Sequence, residues 1–184
     1  MATTTRRWTR ADLERLPNDG NRYEVLDGEL FVTPQAAFRH QQVAARLIRK
    51  LGDYCELHDI GEVVGPGSVI FERESELQPD VQVIPGRRAP HANVAWEDLP
   101  LPILVVELLS DSTARRDLGK KREAYLRIGT PAYWAVDLDQ PRVLVWASAS
   151  LEPAIVTNVL RWQPRGEVAP FEIQLETLLG AAGG

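Results

Sequence analysis

The chain has 184 residues, 44% of them apolar and 26% charged, with a formal net charge of −5. That suffices for one folded domain with its own core and is too apolar for a disordered chain. The acid excess excludes tight, indiscriminate binding to polyanions while leaving room for a local basic groove, and the single cysteine, Cys55, excludes an internal disulfide or a cysteine-based zinc cluster.

No apolar run approaches the roughly 20 residues of a membrane helix, and the start MATTTRRWTRADLERL lacks the apolar core of a secretory leader. The expectation is a cytoplasmic, reducing setting with no membrane partner. His40, His58 and His91 are too widely spaced to form paired helical metal ligands. No nucleophile elbow, phosphate-binding P-loop or dinucleotide fingerprint is present.

In chain order, Thr9 is placed to cap a short helix that Pro17 ends. RYEVLDGELFVTP reads as a hairpin, because Asp27-Gly28 supplies the positive φ angles of a two-residue turn. Residues 36–58 carry Val43, Leu47, Ile48, Leu51 and Tyr54 at steps of three and four, the stripe of a long helix. Short strands are expected at 62–64, 68–72 and 79–84, followed by a long polar connection over 85–102. ILVVELL (103–109) has the composition of a strand buried on both faces. A helix over 113–128 stops at Gly129-Thr130-Pro131. AYWAVD and RVLVWA form a second hairpin, and the remainder holds one or two strands and a helix near 174–179. No repeat or linker interrupts residues 1–184, so a single domain of helices packed on a mixed sheet is expected, α/β or α+β in class.

Three residues sit against these local rules. Glu107 places a carboxylate inside an apolar strand, which costs several kcal/mol unless a cation, a proton or a metal compensates. Asp80 opens the strand VQVI directly after Pro79. Lys121 falls on the stripe Ala114, Leu118, Lys121, Tyr125, Ile128, the apolar face of the 113–128 helix. Each has a plain alternative: a paired strand-end Glu, a turn Asp, a lysine whose stem packs while its ammonium reaches water. The helix follows the Glu107 strand directly, however, so an inward lysine can reach a carboxylate there. Two acids and a lysine at one place suit a hard divalent cation with oxygen ligands from Asp80, Glu107 and the backbone carbonyl of Leu108. Mg²⁺, or Mn²⁺, would polarise a phosphorus centre there and activate water. Lys121 would orient that water or offset charge in the transition state.

These residues carry a resemblance. Pro79-Asp80 followed by Glu107-Leu108-Leu109 resembles the PD-(D/E)XK arrangement of restriction-endonuclease-like nucleases. YEVLDGELFVTP, RHQQV, QPDVQVI and VVELLSDSTARRDLGKKREAYLRIGTPAYWAVD together resemble the Uma-two family of endonucleases over about residues 20–147. The resemblance implies a restriction endonuclease-like core, a central mixed sheet flanked by helices. It also implies a Mg²⁺-dependent endonuclease acting on DNA, with Asp80, Glu107 and Lys121 catalytic. Leu109 stands where the motif wants lysine, and the family pattern D-x-G-x-K-x-x-x-Y puts that lysine on the next helix, here Asp117, Gly119, Lys121 and Tyr125. Asp111 stands where the family commonly has proline.

Accessory roles fall to Glu24 as a further acid, to His40 on the long helix, and to Asp117 and Tyr125 one turn either side of Lys121. Arg115, Arg116, Lys120 and Arg122 make their helix locally basic and are the expected phosphate contacts, with Arg87-Arg88 a second basic spot. A homodimer is expected, since two symmetry-related sites cut both strands of a duplex. The competing expectation is a catalytically silent restriction-like fold that serves as a nucleic-acid-binding or protein-interaction module.

Overall fold

Turn chemistry and side-chain alternation organise the first layer. The computed structural model describes residues 7–72, 74–86, 94–148 and 150–180; Arg87, Arg88 and His91 lie outside them. Thr9 caps α1 (Arg10–Leu13), its backbone N–H and its hydroxyl both donating to the Asp12 carboxylate at 3.0 Å. β1 (Arg22–Leu26) and β2 (Glu29–Thr33) pair antiparallel with Leu26 opposite Glu29. Asp27 (φ 53) and Gly28 (φ 87) form the left-handed two-residue turn that the Asp-Gly pair predicts.

α2 (Phe38–Leu57) buries Val43, Ala44, Leu47, Leu51 and Cys55. β3 (Gly61–Val64), β4 (Val69–Phe71), β5 (Ser75–Leu77) and β6 (Val81–Pro85) precede the buried strand β7 (Leu104–Leu108). A helical stretch follows as α3 (Ala114–Arg116), a wide turn over Asp117–Lys121 and α4 (Arg122–Arg127). Then come β8 (Ala132–Asp137), β9 (Arg142–Ala147), β10 (Ala154–Val156), β11 (Val159–Trp162), β12 (Phe171–Gln174) and α5 (Leu175–Leu179).

The strands form a six-stranded sheet ordered β10-β9-β8-β7-β6-β3, a four-stranded sheet β2-β1-β5-β4 and the pair β11-β12. Among the described residues only β7 and β8 run parallel, bridged by the α3–α4 stretch, and the other pairs are antiparallel. The molecule is therefore a mixed α/β fold around a central mixed sheet. One face of the six-stranded sheet carries α2, α5 and the β11-β12 pair over Val81, Val83, Leu104, Val106 and Trp134. The other carries the four-stranded sheet and α4, with Leu26, Leu77, Val105, Tyr125 and Tyr133 between them.

Three features differ from the sequence expectation. β5 went unforeseen because Ser75-Glu76-Leu77 has little strand character of its own; pairing with both β1 and β4 creates it. The tail holds three strands rather than one or two. The 113–128 helix is not continuous: Gly119, at φ −109 and ψ −105, leaves the helical region and widens the turn. Glycine is a poor helix former and π-type turns concentrate at functional sites. Among the described residues no helix is long and apolar enough to cross a membrane.

Candidate active site

A group of charged side chains lies beneath the four-stranded sheet, against the apolar second face. Strand alternation supplies most of it. On β1, Arg22, Glu24 and Leu26 share one side, and Leu26 packs into the core of that face. On β7, Val105 and Glu107 face the same way while Leu104, Val106 and Leu108 face α2. Val81 pairs with Val106, so extending the register sets Asp80 opposite Glu107.

Lys121 is fully buried, and its Nζ lies 2.6 Å from Glu107 Oε1, 2.8 Å from Glu24 Oε1 and 3.9 Å from Asp117 Oδ1. Burial opposes its charge, but Glu107, Glu24 and Asp117 outweigh that and raise its pKa. The contact with Glu107 is an ion pair by distance without hydrogen-bond alignment; both Glu107 oxygens and Nζ lack an aligned partner. Burial, with Asp117 and Asp80 nearby, pushes the Glu107 carboxyl well up despite Lys121. Glu24 goes the other way. Burial raises it, yet Lys121, Arg22 and the backbone N–H of Gln78, donating at 2.7 Å, hold it low.

Asp80 is the best-held acid. Arg22 Nη1 donates to Oδ1 at 3.0 Å, the Leu108 N–H donates to Oδ2 at 2.8 Å, and His40 Nε2 lies 3.1 Å from Oδ2. Against the cost of burial, His40, Arg22 and the Leu108 N–H bring the carboxyl to about 2. Arg22 also lies 4.0 Å from Glu24 Oε2, and its Nε has no hydrogen-bond partner.

A cleft of about 750 Å³ opens beside the cluster at the carboxyl ends of the parallel strands, where Leu109 follows β7 and Leu138 follows β8. Open α/β sheets bind ligands at such strand ends. Arg22, His40, Asp80 and Leu108 line it; Glu24, Glu107 and Lys121 do not.

The structure thus brings Asp80, Glu107, Lys121 and Glu24 into one neighbourhood, with His40 on Asp80 and Asp117 at the edge of Lys121. Tyr125 does not brace Lys121: it is buried, stacks on Tyr133 at 5.8 Å, and its hydroxyl has no partner. The four expected phosphate contacts do not form one face and none lines the cleft. Arg116 turns inward, donating to Thr33 Oγ1 at 2.7 Å beneath Phe31 and 3.7 Å from Glu24. Lys120 pairs with Glu29, Arg122 covers the Trp146 ring, and Arg115 is exposed. Arg116 and Lys120 both lie over the Phe31 ring of β2. Arg39 and His40 supply positive or polar character to the cleft instead. Arg22 escaped the sequence reading, although its place two residues before Glu24 on a strand was a usable signal.

The donor set suits a hard divalent cation in part. Glu107 offers two buried, unaligned carboxylate oxygens and Asp80 a held carboxylate, oxygen ligands of the kind Mg²⁺ and Mn²⁺ take. Among the described residues no three acidic, His or Cys side chains are arranged to hold a metal together. A bound ion would therefore draw its remaining ligands from backbone, water and phosphate, as Mg²⁺ commonly does.

A buried acid–lysine cluster at the carboxyl end of a mixed sheet defines the class, a nuclease-like α/β fold. Residues 10–177 match the family described as "Uma2: Putative restriction endonuclease", and the chain belongs to that family. A crystal structure of a protein from Anabaena variabilis, described as a "putative nuclease belonging to DUF820", shares the fold with a TM-score of 0.77 at 18% identity, over 93% of this chain and 97% of that one. No curated protein matches the chain.

Proposed function

We propose that the chain is a divalent-metal-dependent endonuclease hydrolysing DNA phosphodiester bonds. The observation that carries this reading is the fully buried Lys121 held between Glu107 and Glu24, with Asp80 opposite Glu107 and open to the cleft. Asp80 and Glu107, with the backbone carbonyl of Leu108, would hold Mg²⁺ or Mn²⁺. The ion would supply Lewis-acid polarisation of the scissile phosphate and a more acidic bound water. Lys121 holds the Glu107 carboxyl in place from 2.6 Å, and its fixed positive charge favours negative charge developing on the phosphate. His40 and the Leu108 N–H fix the Asp80 rotamer so that one oxygen edge stays directed at the cleft.

The family description supports a nuclease; the donor chemistry supports the metal. The test is cleavage of supercoiled plasmid with Mg²⁺ or Mn²⁺, with chelator, and with Asp80→Ala. Metal-dependent nicking lost in the variant is expected, and cleavage indifferent to chelator and to the variant would overturn the reading. Single-stranded DNA, RNA and a small phosphodiester run in parallel fix the substrate class. For a duplex substrate the reading extends to a homodimer, checked by light scattering.

One observation favours the rival, a silent restriction-like fold that binds nucleic acid or protein. Asp80 and Lys121 already have protein partners, and Lys121 is sealed from solvent. DNA binding unchanged by chelator and by Asp80→Ala, without Mn²⁺ binding, would decide for it.

A further inference from the structure

Arg22 is shared between the cleft and the buried acids. Its guanidinium bonds Asp80 at 3.0 Å, lies 4.0 Å from Glu24 and lines the cleft wall, while its side chain keeps 20% of its exposure. Glu107, the acid with two unaligned oxygens, lies across from Asp80 and does not reach the cleft. Among the described residues Arg22 and His40 both hold Asp80 from the cleft side, and Arg22 does so with a long, flexible side chain at the start of β1.

We infer that Arg22 is an internal counter-ion that holds the place between Asp80 and Glu107, leaves it when a divalent ion binds, and then takes a phosphate oxygen in the cleft. The inference rests on the metal-dependent reading above and deepens it. Its physical basis is charge. Two acids this close to one another need positive charge between them, and a guanidinium provides it when no metal is bound. A divalent ion and a guanidinium cannot both occupy the same small space, because like charges in low dielectric repel strongly. Arg22 needs only a change of rotamer to stay in the cleft, and a planar guanidinium matches two oxygens of a phosphodiester. The unpartnered Nε shows that its hydrogen-bonding capacity is not used up where it stands. The same residue thus acts as a plug before the metal binds and as a phosphate ligand afterwards.

This makes two measurements move in opposite directions, which a purely structural role would not do. Mn²⁺ binding is read by electron paramagnetic resonance without nucleic acid, on the wild-type chain, Arg22→Gln, Arg22→Met and Arg22→Lys. Both neutral variants are expected to bind Mn²⁺ about tenfold more tightly, while Arg22→Lys stays near wild type. In Ca²⁺, used as a non-cleaving ion, the neutral variants are expected to bind a short DNA duplex about tenfold more weakly, the loss of one charge-assisted phosphate contact. Far-UV circular dichroism selects the variants that keep the wild-type fold, and the charge-keeping Arg22→Lys serves if neither neutral variant does, since its binding of DNA must then fall while Mn²⁺ binding holds. Wild-type Mn²⁺ binding with no gain in the folded variants overturns the inference alone. Absence of Mn²⁺ binding in the wild-type chain takes down the metal reading and this one with it.

Discussion

The two faces of the six-stranded sheet solve different problems. On the α2 face, Leu47, Leu51, Val81, Val106 and Trp134 are fully buried among apolar neighbours, and Trp134 meets Trp162 edge-on at 6.2 Å. On the opposite face the same sheet buries Glu107 and Asp80, with Glu24, Asp117 and Lys121 above them. The first face gains stability from every side chain it covers. The second spends part of that gain on charges whose mutual attraction does not repay their desolvation unless the geometry is very good. A fold that carries such a cluster on one face depends on the other to stay folded.

The largest effect expected from breaking this division is at Lys121. Lys121→Ala leaves Glu24 and Glu107 buried without their common cation, so stability should fall by about 3–5 kcal/mol and cleavage should vanish. Urea unfolding and plasmid nicking measure both, and Mn²⁺ binding should survive in whatever fraction remains folded. A variant as stable as wild type would show the cluster to be energetically idle. On the other face, Leu47→Ala should cost about 2–5 kcal/mol through lost burial and the cavity left behind. Its nicking activity per folded molecule should match wild type. A change there would mean that the faces are coupled.

A third test uses acid. Asp80 has a folded pKa of about 2 against an ordinary 3.8. A lowered carboxyl contributes stability that is present above the unfolded value and is lost as pH falls through the folded one. Wild type should therefore lose roughly 2 kcal/mol between about pH 4 and pH 2, and Asp80→Asn should lose correspondingly less. Glu107 has the opposite sign. Its raised pKa means that stability falls as pH climbs above its ordinary 4.5, so Glu107→Gln should flatten the pH dependence of the urea midpoint above that value. The smallest effect concerns the rim. Arg39→Ala should reduce the salt slope of DNA binding by about one, and Lys120→Ala should leave it unchanged. The reverse result would return the phosphate contacts to the α3–α4 stretch.

Legibility followed the same division. The apolar face could be read from periodicity, and so could the strand carrying Glu107 and the hairpin at Asp27-Gly28. Lys121 was visible as a polar residue on an apolar stripe, which is why its inward direction could be stated without coordinates. The surroundings of the basic residues on that stretch could not be read in the same way. A 3.6-residue period shows which residues share a helix side but not what packs over it: Arg116 and Lys120 meet Phe31, and Arg122 meets Trp146. Arg116 also bonds Thr33, a partner that no spacing along the chain announces. β5 was illegible because its pairing with β1 and β4 creates it, and the contact of Arg22 with Asp80 joins two sheets; no local window contains either.

The centre draws on β1, α2, β6, β7 and the stretch ending at Lys121, and its contacts join residues far apart in the chain: Arg22 with Asp80, His40 with Asp80, Gln78 with Glu24 and Lys121 with Glu24. All of them fall between positions 22 and 121, and no piece that stops short of Lys121 contains the set. During synthesis, then, the centre cannot assemble until the segment around position 121 has emerged and docked, and proteolytic loss of that segment leaves Glu24 without the Lys121 ammonium at 2.8 Å.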